Sequence, residues 1–190
     1  TFIAWVKGSG GSIFSEGDVS SPWPGLVPLF VLRTLGGVSK RMNVQAVNSD
    51  WQGEANINSN LNIYDNSWKQ IVITKNTTGT GGDVKIYVNG MLDNNNSYIA
   101  PSVGNLINLS ASTIGAFRRK PNVSGFFNGS IDEVKIYNYV LSGPEILNEY
   151  NNIYSQCLSD SECSGSGYCT SPKANITRDT KRLADLVELK

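Results

Sequence analysis

Val84-Lys85-Ile86-Tyr87-Val88-Asn89-Gly90-Met91-Leu92 reads as a β-hairpin, and the fold class follows from it. Val84, Ile86 and Val88 alternate with residues of the opposite face, the two-residue period of a strand buried on one side. Asn89-Gly90 supplies the positive φ angles of a tight type I′ turn. The same alternation appears in Phe2/Ala4/Val6 and in Val27/Leu29/Val31. Two further stretches, Trp68–Thr74 and Gly125-Phe126-Phe127, read as buried on both faces. Punctuation between these runs is dense: Gly8–Gly11, Pro22-Trp23-Pro24-Gly25, Gly36-Gly37, Gly79–Gly82 and Asn94–Asn96. Short strands at this spacing predict an all-β, antiparallel two-sheet sandwich.

One helix follows the strands. Ser142-Gly143-Pro144-Glu145 is a capping box, with Ser142 at N-cap, Glu145 at N3 and Pro144 in the first turn. Ile146, Leu147, Tyr150, Ile153 and Tyr154 then recur at helical spacing. Beyond Ser155 the composition shifts to Ser and Gly, with Cys157, Cys163 and Cys169 evenly spaced in it. Little apolar content is present to hold this tail, so the cysteines read as a disulfide device. One pair closes a loop and the third thiol pairs outside this chain; the spacing does not say which. Leu183, Leu186, Val187 and Lys190 begin an amphipathic helix. The expected division is a sandwich over residues 1–154 and, over 155–190, a Ser/Gly/Cys-rich linker running into that helix.

Composition narrows the function. The chain of 190 residues is 39% hydrophobic and 17% charged, which suits a packed core rather than disorder. Lys plus Arg and Asp plus Glu stand at 16 each, so no overall charge draws it to nucleic acid or an anionic membrane. It contains no His, which removes the usual general base, the Ser-His and Cys-His nucleophile pairs and the commonest metal ligand. No apolar run is long enough to span a bilayer. Thr1-Phe2-Ile3-Ala4-Trp5-Val6-Lys7 is strand from its first residue, so the chain is expected to be part of a longer polypeptide with flanking domains.

The order of several pieces resembles the laminin-G-like jelly-roll domains of the concanavalin A-like superfamily. They are Phe2–Lys7, Ile13-Phe14-Ser15, Trp68–Thr74, Val84–Gly90, Thr113-Ile114-Gly115-Ala116, and Phe127–Ser142 with Glu145-Ile146. The resemblance covers about residues 1–154 and implies a secreted or surface-displayed jelly roll whose first strands are missing here. It further implies a carbohydrate or protein ligand, commonly near a calcium ion. Residues 178–189 are similar to the stretch after the hydrophobic helix of pilin-like proteins.

Candidate residues follow from both readings. Alternation along Ile131–Asn138 places Asp132 on the apolar face with Val134 and Ile136. A carboxylate there costs several kcal/mol unless bonded or bound to metal. It is a calcium ligand by the resemblance, or it is satisfied by a bulge at Gly129-Ser130, by backbone N–H groups or by an indole. Trp23 and Trp51 sit in polar, turn-rich contexts, and with Asp50 they offer a plate and a hydrogen-bonding group for a sugar. The alternative is that both indoles plug sandwich ends. Lys85, Tyr87, Glu133, Lys135 and Tyr137 would share one polar face if their strands were neighbours. Carboxylate pairs for glycoside hydrolysis, Glu133 with Glu54 or Asp65 with Asp83, lack the alternating acidic strand of related glucanases. The reading is a non-catalytic extracellular or cell-surface module for a glycan or a surface protein. Its alternative is a structural spacer or decoration domain of a pilin-like or surface-filament protein.

Overall fold

Strands form wherever apolar side chains recur every second residue, and two sheets close over the common apolar layer. The computed structural model describes residues 1–17, 29–34, 40–47, 54–78, 81–99, 111–119 and 122–154. Its strands are β1 (Phe2–Gly10), β2 (Ser12–Gly17), β3 (Leu29–Thr34), β4 (Arg41–Val47), β5 (Glu54–Asn62) and β6 (Lys69–Thr78). They continue with β7 (Gly81–Val88), β8 (Met91–Ile99), β9 (Ala111–Ile114), β10 (Phe117–Arg119), β11 (Asn122–Ser124) and β12 (Asn128–Ile136). The first sheet has the order β12-β1-β6-β7-β8, the second β5-β4-β3-β2-β9, and β10-β11 form a separate ribbon. Every pairing is antiparallel. This is the all-β jelly-roll sandwich expected from the sequence.

The core lies between the sheets. Phe2, Ala4 and Val6 of β1, Ile71 and Ile73 of β6, and Val84, Ile86 and Val88 of β7 meet Leu32, Met42, Val44, Ala46 and Ile57 of the second sheet. The turn at Asn89 (φ 50°) and Gly90 (φ 77°) joins β7 to β8 as the dipeptide predicts. Gln70 to Thr74 are all buried, so this part of the Trp68–Thr74 stretch is covered on both faces as read, while Trp68 and Lys69 are half-buried.

Where the two sheets meet at β5 and β8, side chains stitch their edges. The Asp93 carboxylate accepts the Asn60 and Leu61 backbone N–H groups at 2.7 and 3.1 Å. The Asn94 amide donates to Asn58 O at 2.8 Å and that of Asn96 to Asn56 O at 3.3 Å. These bonds occupy edge groups that would otherwise template another strand. The Asn94–Asn96 run, read as turn punctuation, therefore lies inside β8, and Gly81 and Gly82 of the glycine run lie inside β7. Burial of Gly125-Phe126-Phe127 also needs correction. Gly125 adopts φ 58° and swings Phe126 outward, 68% exposed, while Phe127 turns in against Tyr64 at 6.2 Å between ring centroids.

This unit comprises Thr1–Leu141; in sequence a second begins at Ser142, and within it the described element is α1 (Gly143–Tyr154). Its start follows the capping-box reading: Ser142 N–H donates to Glu145 Oε2 at 2.7 Å, and Ile146 N–H donates to Ser142 O at 3.0 Å. The Ser142 hydroxyl and amide together hold the Glu145 carboxyl below its ordinary pKa. Cys157, Cys163, Cys169 and residues 178–189 lie outside the described residues.

Candidate functional site

The outer face of the second sheet, turned away from the core, carries a hydrogen-bonded row of polar side chains. In β4, Met42, Val44 and Ala46 point into the core, so Asn43 and Gln45 point out. Leu32 places Val31 and Arg33 of β3 on the same outer face, and Ile57 does so for Asn56 and Asn58 of β5. Register sets them side by side: Val31 opposite Gln45, Arg33 opposite Asn43, Gln45 opposite Asn56, and Asn43 opposite Asn58.

Hydrogen bonds fix this row. The buried Asn43 amide donates to Asn56 Oδ1 at 2.6 Å and to Asn58 Oδ1 at 2.9 Å. The Arg33 guanidinium donates from Nη2 to Gln45 Oε1 at 3.0 Å and lies 5.7 Å from the centroid of the Phe117 ring. Phe117 belongs to the β10-β11 ribbon, which is anchored to β2 on this face: Arg118 N–H donates to Ser15 Oγ at 3.3 Å, and Ser15 Oγ donates to Ala116 O at 3.1 Å. The ribbon thus stands beside Gln45, Asn56 and Asn58, with Val31 and Asn43 buried among them. Carboxamides both donate and accept, which matches the paired donor and acceptor character of sugar hydroxyls. The partly buried guanidinium adds directional donors and the ring an apolar surface.

A second feature is an opening between the sheets of about 190 Å³. Phe2, Phe14, Phe30 and Ile73 line its apolar floor, with Glu16 and Lys75 also on its wall. It is smaller than the range of most ligand pockets, roughly 300–1,000 Å³.

Of the residues singled out in the sequence, Trp23, Asp50 and Trp51 lie outside the described residues. Asp132 is in β12, but not on the core face. Asp132 pairs with Trp5 and Lys135 with Ile3, so β12 carries an extra residue in a bulge at Glu133, whose φ is 48°. The bulge shifts the alternation by one. Ile131 and Val134 pack on the core, and Asp132 falls on the outer face, its Oδ1 accepting Glu133 N–H at 2.8 Å. Calcium takes six to eight oxygen ligands. Among the described residues no group of three or more acidic, Cys or His side chains stands together, so these residues do not by themselves fit the ion. The face proposed from Lys85, Tyr87, Glu133, Lys135 and Tyr137 is also not assembled, because β1 and β6 separate β12 from β7. No helix among the described residues is long and apolar enough to cross a membrane.

Comparison with known proteins follows this geometry. Residues 1–147 match the laminin-G family model described as the concanavalin A-like lectin/glucanases superfamily, and the chain belongs to that family. No curated protein matches it in sequence. Among solved structures it is similar to the CBM40 of the Ruminococcus gnavus IT-sialidase, at a TM-score of 0.64 and 16% identity over 78% of this chain and 80% of that one. The same module bound to α2,3 sialyllactose gives 0.62 and 15%, over 78% and 80%. The LG1-3 region of the laminin α2 chain gives 0.50 and 14%, over 74% of this chain and 28% of that one. At these identities the likeness is one of fold.

Proposed function

We propose that this chain is a non-catalytic carbohydrate-binding module of an extracellular or cell-surface protein, taking its glycan on the outer face of the second sheet. The observation that carries the reading is the Asn43-centred row, in which Arg33, Gln45, Asn56 and Asn58 are held by hydrogen bonds on rigid strands. Such fixed groups bind without the cost of ordering them. That a module of similar fold binds sialyllactose supports a sugar as the ligand class. Catalysis is not part of the proposal: Asp65 is engaged by Lys69 and Ser67, and Asp83 by Lys85.

The test is a glycan-array screen of the chain in calcium and in EDTA, repeated with Gln45→Ala. The reading expects a defined set of glycans to bind, and Gln45→Ala to weaken them. Failure of every glycan to bind would favour the spacer or decoration-domain alternative. Calcium at Asp132 is proposed only as a separate arm of this experiment; binding unchanged by EDTA and by Asp132→Asn would remove it. A disulfide among Cys157, Cys163 and Cys169 is likewise a proposal, tested by mass spectrometry of the unreduced chain.

A further inference from the structure

Phe126 is an exposed aromatic side chain on a rigid support. The backbone on either side of it is fixed: Gly125 O accepts Ser12 N–H at 2.8 Å, and Phe127 N–H donates to Gly115 O at 2.8 Å. Gly125 takes φ 58° to turn Phe126 outward, and Gly11 packs so close that a Cβ there would run into the Phe126 carbonyl. The ring is thus held in water by a built turn, with exposed Ile114 and Val123 on neighbouring strands. Apolar surface held out in this way gains by burial against something else.

The other end of the same sandwich carries a hole of matching size. Phe2, Phe14, Phe30 and Ile73 floor the opening of about 190 Å³, and the Phe14 ring centroid lies 5.0 Å from that of Phe2 and 6.2 Å from that of Phe30. An apolar cavity of roughly 150 Å³ holds benzene, so this one admits a phenyl side chain. Exposed Ile136 stands on its wall. Strand β1 links the two features. Phe2 at its start lines the opening, and its last residue, Gly10, leads into Gly11 against Phe126. The eight steps from Phe2 to Gly10, at about 3.3 Å each, put them roughly 26 Å apart. A copy therefore cannot fill its own opening with its own Phe126. Lys plus Arg and Asp plus Glu balance at 16 each, so two copies do not repel through net charge.

We infer that the partner of Phe126 is a second copy of this chain, whose opening between Phe2, Phe14, Phe30 and Ile73 takes the ring. Knob and hole lie at opposite ends of the strands, so the contact joins unlike patches head to tail. Such a contact does not close into a two-fold pair; it adds copies in an open row. The inference does not rest on the carbohydrate reading, and the two are tested apart.

The experiment is sedimentation equilibrium of the chain from micromolar to millimolar concentration, under reducing conditions so that its cysteines do not link copies. The result expected is an average mass that climbs with concentration without levelling at twice the monomer. The dissociation constant should be on the order of 1 mM, as suits a contact below about 1,200 Å². Phe126→Ser and Ile136→Glu, each at an exposed position, should each weaken association by about tenfold or more. An equimolar mixture of the two variants should associate again but stop at a one-to-one pair, because each retains the half that the other has lost. A mass that stays at the monomer through millimolar concentration overturns the inference. A mass that levels at twice the monomer, with no recovery in the mixture, is a two-fold contact and overturns it as well. Association that persists in folded Phe126→Ser overturns the role of Phe126. If a variant loses its native amide spectrum, dilution of the unaltered ¹⁵N-labelled chain decides. The inference expects the amides of Phe126, Phe30 and Ile73 to shift together with concentration, and constant shifts at these three overturn it.

Discussion

The two sheets share an antiparallel plan and a common core, yet their outer faces differ in kind. At the centre of the first sheet the residues turned from the core are Ile3 and Trp5 of β1 and Val72 of β6, all fully buried, with Gln70 buried beside them, while Lys85 and Asp132 on the flanking strands are only partly buried. On the second sheet Val31 and Asn43 are buried at the corresponding positions, but Arg33, Gln45, Asn56 and Asn58 beside them form a polar row that is only partly covered. Strand alternation alone does not make a face available. Where both sets of alternating residues are apolar, both sides of the sheet are taken up by packing. Where one set is amides and a guanidinium, that side is left to meet something polar. The centre of the first sheet's outer face serves stability, and on the proposed reading the second sheet's serves recognition.

Substitutions on each face should therefore separate stability from binding. The largest effect is expected from Trp5→Ala, which empties a fully buried indole site on the first sheet. It should cost about 3–5 kcal/mol in urea unfolding, and the protein that remains folded should bind glycan as before. Next comes Asn43→Ala on the second sheet. It removes the buried donor shared by Asn56 and Asn58 and should cost about 1–3 kcal/mol. It should also weaken glycan binding on titration, which Trp5→Ala should not do. Equal loss of affinity in both variants would erase the distinction between the faces.

The smallest expected effect is one of pH, and it belongs to neither face. Asp65 lies in the segment that crosses from β5 of the second sheet to β6 of the first. Partial burial pushes its carboxyl up. Bonds from Lys69 and from the Ser67 hydroxyl and amide, with the Lys69 charge, outweigh this and lower it from 3.8 to about 2. A carboxylate whose pKa is lowered in the folded state stabilises above its unfolded value and loses that contribution as it protonates. Stability should thus be full above pH 3.8 and decline toward about 2, and Asp65→Asn should flatten that decline. Both faces should respond alike, as followed by Trp fluorescence and by amide exchange at Gln45.

Much of this fold was legible in the sequence because its signals were local. The Val84–Leu92 hairpin, the apolar face of β1 and the Ser142–Glu145 cap each declare themselves within a few residues. β4 carried an equally clear signal, with Met42, Val44 and Ala46 alternating with Arg41, Asn43 and Gln45, and reading that period would have found it. β5 and β8 were harder. Asn is poor in strands, and their asparagines are explained only by bonds between two edges distant in sequence. Asp132 was misplaced for a different reason. A single positive φ at Glu133 reverses the alternation, and nothing in Glu as a residue type announces that conformation. The candidate site was sought among aromatic residues of turns, Trp23 and Trp51. Those residues lie outside the described ones, and the proposed row of strand amides and Arg33 shares a face that becomes visible only once the order β5-β4-β3 is known.

The most direct test of the account is a map of amide chemical shifts in the ¹⁵N-labelled chain during titration with 3′-sialyllactose. The account predicts saturable shifts at Arg33, Gln45, Asn56 and Asn58, with the side-chain amide of Asn43 moving alongside them and Ile3 and Val72 unchanged. Shifts gathered instead at Phe2, Phe30 and Ile73 would place the ligand in the opening between the sheets and contradict a binding face on the second sheet.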